Sequence, residues 1–175
     1  MEAVMRYRFH ELQWSEHELL QQLVSFYCEV WKEPPWFENF WTSDIVLKSI
    51  FQSFKNQNAV WRLALDDSGS VVGFTTGHEA DRRYLIDFSR RDDFPEFLPE
   101  ESYYYAAEIA VVQAERHRGL GAELMKLLVA DAEQLGLRIV GRTKNELAEK
   151  VLAKNGFVKT MFTDGQDSER FYWLR

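Results

Sequence analysis

The segment at residues 103–135 allows few folds. YYYAAEIAVV (103–112) is a continuous β-prone run, and 119–135 repeats leucine at helical spacing through Leu120, Leu124, Leu127, Leu128 and Leu135. The hexapeptide RHRGLG (116–121) joins them, with two glycines where the helix should begin. Glycine is a poor helix former, so its use here calls for a reason. The first amides of a helix have no internal partner, and the helix dipole makes that end positive. Glycines let a backbone approach a bulky group closely. The amides of 117–121 are therefore suited to cradle an anion, above all a phosphate or pyrophosphate. Arg116, His117 and Arg118 can add positive charge; solvated loop charges are the plainer reading of the two arginines. Two nucleotide loops are excluded. No Gly-Lys-Ser/Thr follows the first glycine, and Leu124 stands where a dinucleotide fingerprint needs Gly or Ala.

The flanking sequence reads as one domain spanning 1–175. A strand is expected over 6–12. SEHE (15–18) has the form of a capping box ahead of a helix carrying Leu19, Leu20, Leu23, Phe26, Tyr27 and Val30. Pro34 and Pro35 end that helix. A second helix is expected over 43–57, with Ile45, Ile50, Phe51 and Phe54 as its apolar residues. Strands at 59–66 and 71–79 flank the turn DDSGS as a hairpin. Residues 80–100 read as a charged surface loop with one short helix. After the helix at 119–135 come a strand (137–142), a helix (145–156) and a closing hairpin. The order β-α-α-β-β-β-α-β-α-β-β describes a mixed sheet with helices packed on it, of the α/β or α+β type.

Composition narrows the function classes. A net charge of −7 argues against a nucleic-acid-binding surface. The single cysteine, Cys28, cannot form an internal disulfide and reads as buried packing. The four histidines (His10, His17, His78, His117) lack metal-ligand spacing, so no metal is expected. No signal-peptide core or membrane-length apolar run is present, which makes the cytoplasm the expected location and a membrane an unexpected partner.

Arg116, Gly119 and Gly121 form Arg-x-x-Gly-x-Gly between an apolar strand and a leucine-rich helix. Downstream, NELAEKVLAKNGF places Asn145, Ala148, Gly156 and Phe157 in a second matching pattern. Together these resemble the GNAT superfamily of acyl-CoA-dependent N-acyltransferases. The resemblance implies a central, mostly antiparallel mixed sheet of six to seven strands with about four helices. It implies acetyl-CoA as co-substrate, a small-molecule primary amine as acceptor, and direct attack in a ternary complex. The pyrophosphate loop would be Arg116, His117, Arg118, Gly119, Leu120, Gly121 and Ala122. Pantetheine would pair with the strand edge at Ile109 and Val111, left free where the strand at 137–142 splays away. The Val111 amide would polarise the thioester carbonyl. Asn145 would help bind the pantetheine arm, although a helix N-cap is its simpler role. The family often has a general-acid tyrosine four residues before the second pattern's glycine, and this chain has Leu152 there. That role is vacant, or is filled by Tyr172 or one of Tyr103, Tyr104 and Tyr105. Without that tyrosine, the alternative is an acyl-CoA-binding module with little catalysis.

An attacking ammonium must first lose a proton. Glu108 is the candidate base, as the only carboxylate within the central strand. Simple alternation puts it on a face with Ala106 and Ala110, opposite Ile109 and Val111. A solvated strand position is the plainer reading. Glu79, His78 and water are the reserves. The aromatic stretch KEPPWFENFW offers Trp36, Phe37, Phe40 and Trp41 as one wall of an acceptor site; a cap on the core or a contact in a homodimer is the other use of them.

Overall fold

A computed structural model describes residues 7–91, 93 and 98–175. Its strands are β1 (Arg8–Glu11), β2 (Val60–Leu65), β3 (Val71–Asp81), β4 (Ser102–Val111), β5 (Ile139–Thr143), β6 (Val158–Thr163) and β7 (Phe171–Leu174). The helices are α1 (His17–Val30), α2 (Ser43–Ser53), α3 (Arg82–Ser89), α4 (Leu120–Gln134) and α5 (Glu146–Lys154). The strands form one sheet in the order β1-β2-β3-β4-β5-β7-β6. Every neighbouring pair is antiparallel except β4–β5. The short helix expected within 80–100 is α3; residues 92 and 94–97 of that stretch lie outside the described residues.

Each face of the sheet is covered by helices. On one face Leu23, Tyr27, Val46 and Ile50 of α1 and α2 bury against Trp61, Leu63 and Phe74. α3 extends this layer, packing Leu85 near Tyr103, Tyr105 and Val140. On the other face Met125 and Leu128 of α4 and Leu152 of α5 meet Tyr104, Ala106 and Ile139. Arg62 of β2 is tied by both Nε and Nη2 to the buried Asp131 carboxylate of α4. This pins the helix across the sheet.

Two local expectations are corrected. The capping box does not form. α1 starts one residue later than Ser15 requires, with Glu16 as its N-cap and no side-chain cap bond. The Glu16 carboxylate instead takes the Gln13 amide at 2.7 Å and His10 Nε2 at 2.9 Å. α2 ends at Ser53, short of Gln57, and it buries Val46 and Ile50. Ile45 and Phe51 point outward, at 47% and 42% exposure. A helix this short has one narrow inward stripe, and Val46 and Ile50, four apart, occupy it.

Two features of β4 shape the site. Thr76 pairs with Glu108 but Gly77 pairs with Ala106, so Ala107 is an extra residue, a β-bulge. The bulge breaks the alternation along the strand. Tyr104 and Ala106 face α4, as do Ile109 and Val111 beyond the bulge. Glu108 therefore lies opposite Ala106, not beside it, and shares its face with Tyr105 and Ala107. The expected partnership with Ala110, which packs on the α1–α2 side, holds. The second feature is the parallel pairing of β4 with β5, which covers only Tyr104, Ala106 and the residue between them. Past Ala106 the β5-side edge of β4 is free.

Candidate active site

The free edge carries directed hydrogen-bonding groups. Val112 N–H donates to Val72 C=O on β3 at 3.0 Å. Strand alternation then turns the Ile109 and Val111 N–H groups toward the opposite, open edge. A groove of about 230 Å³ runs along that edge. Ile109 and Val111 line one side of it, Ala148 and Val151 of α5 the other. Gly119 and Gly121 lie at its end.

The loop from β4 to α4 takes one 3₁₀ turn, Gln113–Glu115, and then unwinds. His117 has φ 62° and Gly119 φ 87°. Glycine suits the second of these, because other residues are strained there. Gly119 is the N-cap and supplies no side-chain cap, and the first helical bond runs from Glu123 N–H to Gly119 C=O at 3.1 Å. The amides of Leu120, Gly121 and Ala122 therefore have no helical partner. A Cβ at Gly121 would meet Val151 Cγ2 at 3.3 Å, so glycine keeps the groove open between α4 and α5. Leu120 and Ala122 bury their side chains, leaving only their backbone to the loop.

Both arginines have partners within the protein. Arg116 Nε donates to Val111 C=O at 2.9 Å, Nη1 to Pro34 C=O at 2.9 Å and Nη2 to Glu33 Oε2 at 2.5 Å. Its guanidinium, 5.2 Å from the Trp36 ring, braces the Pro-Pro-Trp loop against the end of β4. Arg118 pairs with Glu115 at 3.2 Å. The charge of both arginines is thus already matched inside the protein. Exposed His117 remains at the loop, and α5 presents Lys150 and Lys154 along the groove, spaced four apart on one helix face. That spacing is visible in the sequence and was the signal for these two lysines.

On the other face of β4 lies a larger cleft of about 990 Å³. Glu108 is on its floor, with Thr76, His78, Tyr105 and Arg142. Trp36 and Glu38 form one wall, and Tyr84 and Phe88 of α3 another. Glu79 does not line it and accepts from Asn58 Nδ2 at 2.7 Å. Of the loop aromatics, Trp36 lines both cavities. Trp41 packs on Tyr27 and donates to Glu38 Oε2 at 2.6 Å. Phe37 and Phe40 are exposed. Asn145 borders groove and cleft alike. Its Oδ1 caps α5, accepting from Leu147 N–H at 2.9 Å and Ala148 N–H at 3.1 Å, while Nδ2 bonds no described residue.

Burial pushes Glu108 up to about 7; the neighbouring Tyr27 hydroxyl favours the charged form and opposes the rise, and the charge of Glu38 adds to it. Glu108 Oε2 is enclosed and has no hydrogen-bond partner. Such a carboxylate is half ionised near neutral pH, which suits a general base. The neighbours shift it in opposite directions. Tyr27→Phe removes a hydroxyl that favours the charged form, so the Glu108 pKa rises. Glu38→Gln removes a like charge, so it falls. A ¹³C NMR titration of the Glu108 carboxyl in the ligand-free protein checks both signs; a common direction or no movement contradicts the arrangement.

Leu152 is buried against Gly141 and Ala106, and no described tyrosine lines the groove. Tyr103 and Tyr172 are fully enclosed, the Tyr104 hydroxyl donates to Asn58 C=O at 3.3 Å, and Tyr105 opens on the cleft. Among the described residues no cluster fit to bind a metal is present, and no helix is long and apolar enough to cross a membrane.

The sheet thus splits beside its fourth strand, with a glycine-opened helix start below the split. The model of the Acetyltransferase (GNAT) family matches residues 7–157, and the chain belongs to that family. Among solved structures, it resembles a phosphinothricin acetyltransferase from Sinorhizobium meliloti in complex with AcCoA (15% identity, TM-score 0.69, covering 98% of this chain and 88% of that one). It also resembles a putative acetyltransferase from Acinetobacter baylyi ADP1 (19%, TM-score 0.64, 100% and 94%). A third is a Drosophila melanogaster polyamine N-acetyltransferase (12%, TM-score 0.63, 96% and 99%). At these identities the likeness speaks for the fold. No curated protein sequence matches the chain.

Proposed function

We propose that the protein transfers the acetyl group of acetyl-CoA to a primary amine of a small molecule, by direct attack in a ternary complex. One observation carries this reading. The free stretch of β4 separates the groove from the cleft, with open-edge amides on the groove side and the Glu108 carboxylate on the cleft side. The residues fit the co-substrate. The open edge of β4 at Ile109 and Val111 can pair with an amide-bearing arm as an added strand would, with the Val111 N–H left for the acyl carbonyl. The groove is mostly apolar, and the partnerless α4 amides with His117, Lys150 and Lys154 suit a diphosphate.

Bound acetyl-CoA supplies an activated acyl carbonyl. The Val111 N–H donates to that carbonyl oxygen and stabilises the negative charge it gains during attack. Glu108 takes the proton that the acceptor ammonium must lose. Asn145 Nδ2, at the junction of the two cavities, helps to position the thioester. The leaving thiolate needs no acid from the protein, because a thiol pKa of about 8.5 makes it a tolerable leaving group at neutral pH. This removes the difficulty raised by Leu152.

Calorimetry with CoA, followed by a thiol-release assay with acetyl-CoA and a panel of primary amines, tests the reading. Binding in the micromolar range with turnover of at least one amine is expected. Binding with no turnover on any amine would leave an acyl-CoA-binding module as the function, and absence of binding would remove both.

A further inference from the structure

The cleft floor is chemically divided. Glu108 and Glu38 make the end next to the transfer point acidic. Two residues along β3 from Thr76, the partner of Glu108, His78 pairs across with Tyr105. At about 3.4 Å per residue this second row lies roughly 7 Å from the first. Its polar groups are hydrogen-bond donors. His78 is 6% exposed, and its Nε2 is buried with no partner. Burial lowers its pKa, so the ring is neutral, and in its Nε2–H tautomer it can donate. The Tyr105 hydroxyl accepts from Arg142 Nε at 3.2 Å and so keeps its own proton to give. Arg142 lies 3.9 Å above the Phe88 ring and is held by buried Asp164 through Nη1, while its Nη2 bonds none of the described residues. Of the three, His78 Nε2 is buried without a partner, which is costly, and all three residues line one cavity.

We propose that the acceptor amine carries an oxyanion, a carboxylate or a phosphorus oxyacid, several bonds from its nitrogen, and that His78, Tyr105 and Arg142 bind it. This rests on the acetyl-transfer reading and adds the class of acceptor. The intervening chain lies along Tyr84 and Phe88. Glu38 and Glu108 repel the anionic end, so the molecule enters amine-first.

The test compares ω-amino carboxylates and ω-aminoalkylphosphonates of three to five carbons with the carboxamide and the plain alkylamine of equal length. The expected result is a kcat/KM at least ~30-fold higher for the best anionic acceptor, carried mainly by KM. Tyr105→Phe, which removes one O–H and keeps the ring, should shrink that ratio about tenfold. Arg142→Gln should shrink it further, and Tyr105→Phe still decides if loss of the Asp164 contact unfolds that variant. Carboxylate against phosphonate shows which oxyanion the row prefers. Equal or better turnover of the uncharged amines at every length overturns the proposal while acetyl transfer stands. If no amine is turned over, calorimetry on the CoA-loaded protein decides: tighter binding of 4-aminobutanoate than of butylamine supports the oxyanion row, and equal or weaker binding overturns it.

Discussion

Replacing Glu108 with glutamine is expected to lower kcat/KM by roughly 10²–10³-fold while CoA binds as before. The carboxamide fills the same space, so what it loses is the ability to take a proton. The pH profile gives the second half of the result. With its pKa at about 7, Glu108 is mostly protonated below that value, and activity should fall about tenfold per pH unit on the acid side. Above pH 8 the carboxylate is ionised and the rate should level. The variant should lose this acid limb altogether. A glutamine variant that keeps most of its activity and the same limb would move proton removal to water or His78. Initial rates across pH 5.5–9 with saturating acetyl-CoA and the acceptor well below its KM make the measurement.

Gly121→Val is expected to weaken CoA binding by at least ~100-fold. A Cβ at that position already stands 3.3 Å from Val151 Cγ2, and Ile109 and Val111 are each 3.9 Å away. Two further methyl groups would fill the groove where α4 begins and push α5 from the strand edge. Overpacking of this kind typically costs about 1–3 kcal/mol, so a melting curve should show a destabilised but folded protein. Gly119→Ala is the instructive contrast. No atom lies within 4 Å of the added methyl, and the cost is backbone strain at φ 87°. It should loosen the loop and weaken binding less. Calorimetry with CoA on both variants checks the order; equal losses would mean that backbone conformation, not groove width, limits binding.

Much of this architecture is legible in the sequence, because its signals are local. The leucine period of α4, the glycines before it and the apolar run of β4 each act within a few residues, and all three elements stand where the pattern puts them. The second-pattern Asn145 does cap α5, as its residue type suggests. What was not legible depends on distant partners. Alternation along β4 places Glu108 with Ala106, because a bulge is set by pairing with β3 and leaves no mark in an alanine-rich run. Arg116 beside two glycines reads as a phosphate ligand, since nothing in RHRGLG shows that Glu33 and Pro34, some eighty residues earlier, claim its guanidinium. The oxyanion row draws His78, Tyr105 and Arg142 from three strands, and no window of sequence holds them together.

The extra alanine at 107 works as a parity change within one strand. Upstream of it, even-numbered side chains look toward α4; downstream, odd-numbered ones do. Were the strand to run in plain alternation through Ala107, Glu108 would turn into the apolar layer and Ile109 into the cleft; deleting Ala107 would leave both on their present faces. In that unbulged strand the apolar residues would still pair, but the Glu108 carboxyl would lie on the groove side and the Ile109 and Val111 N–H groups would turn toward β3.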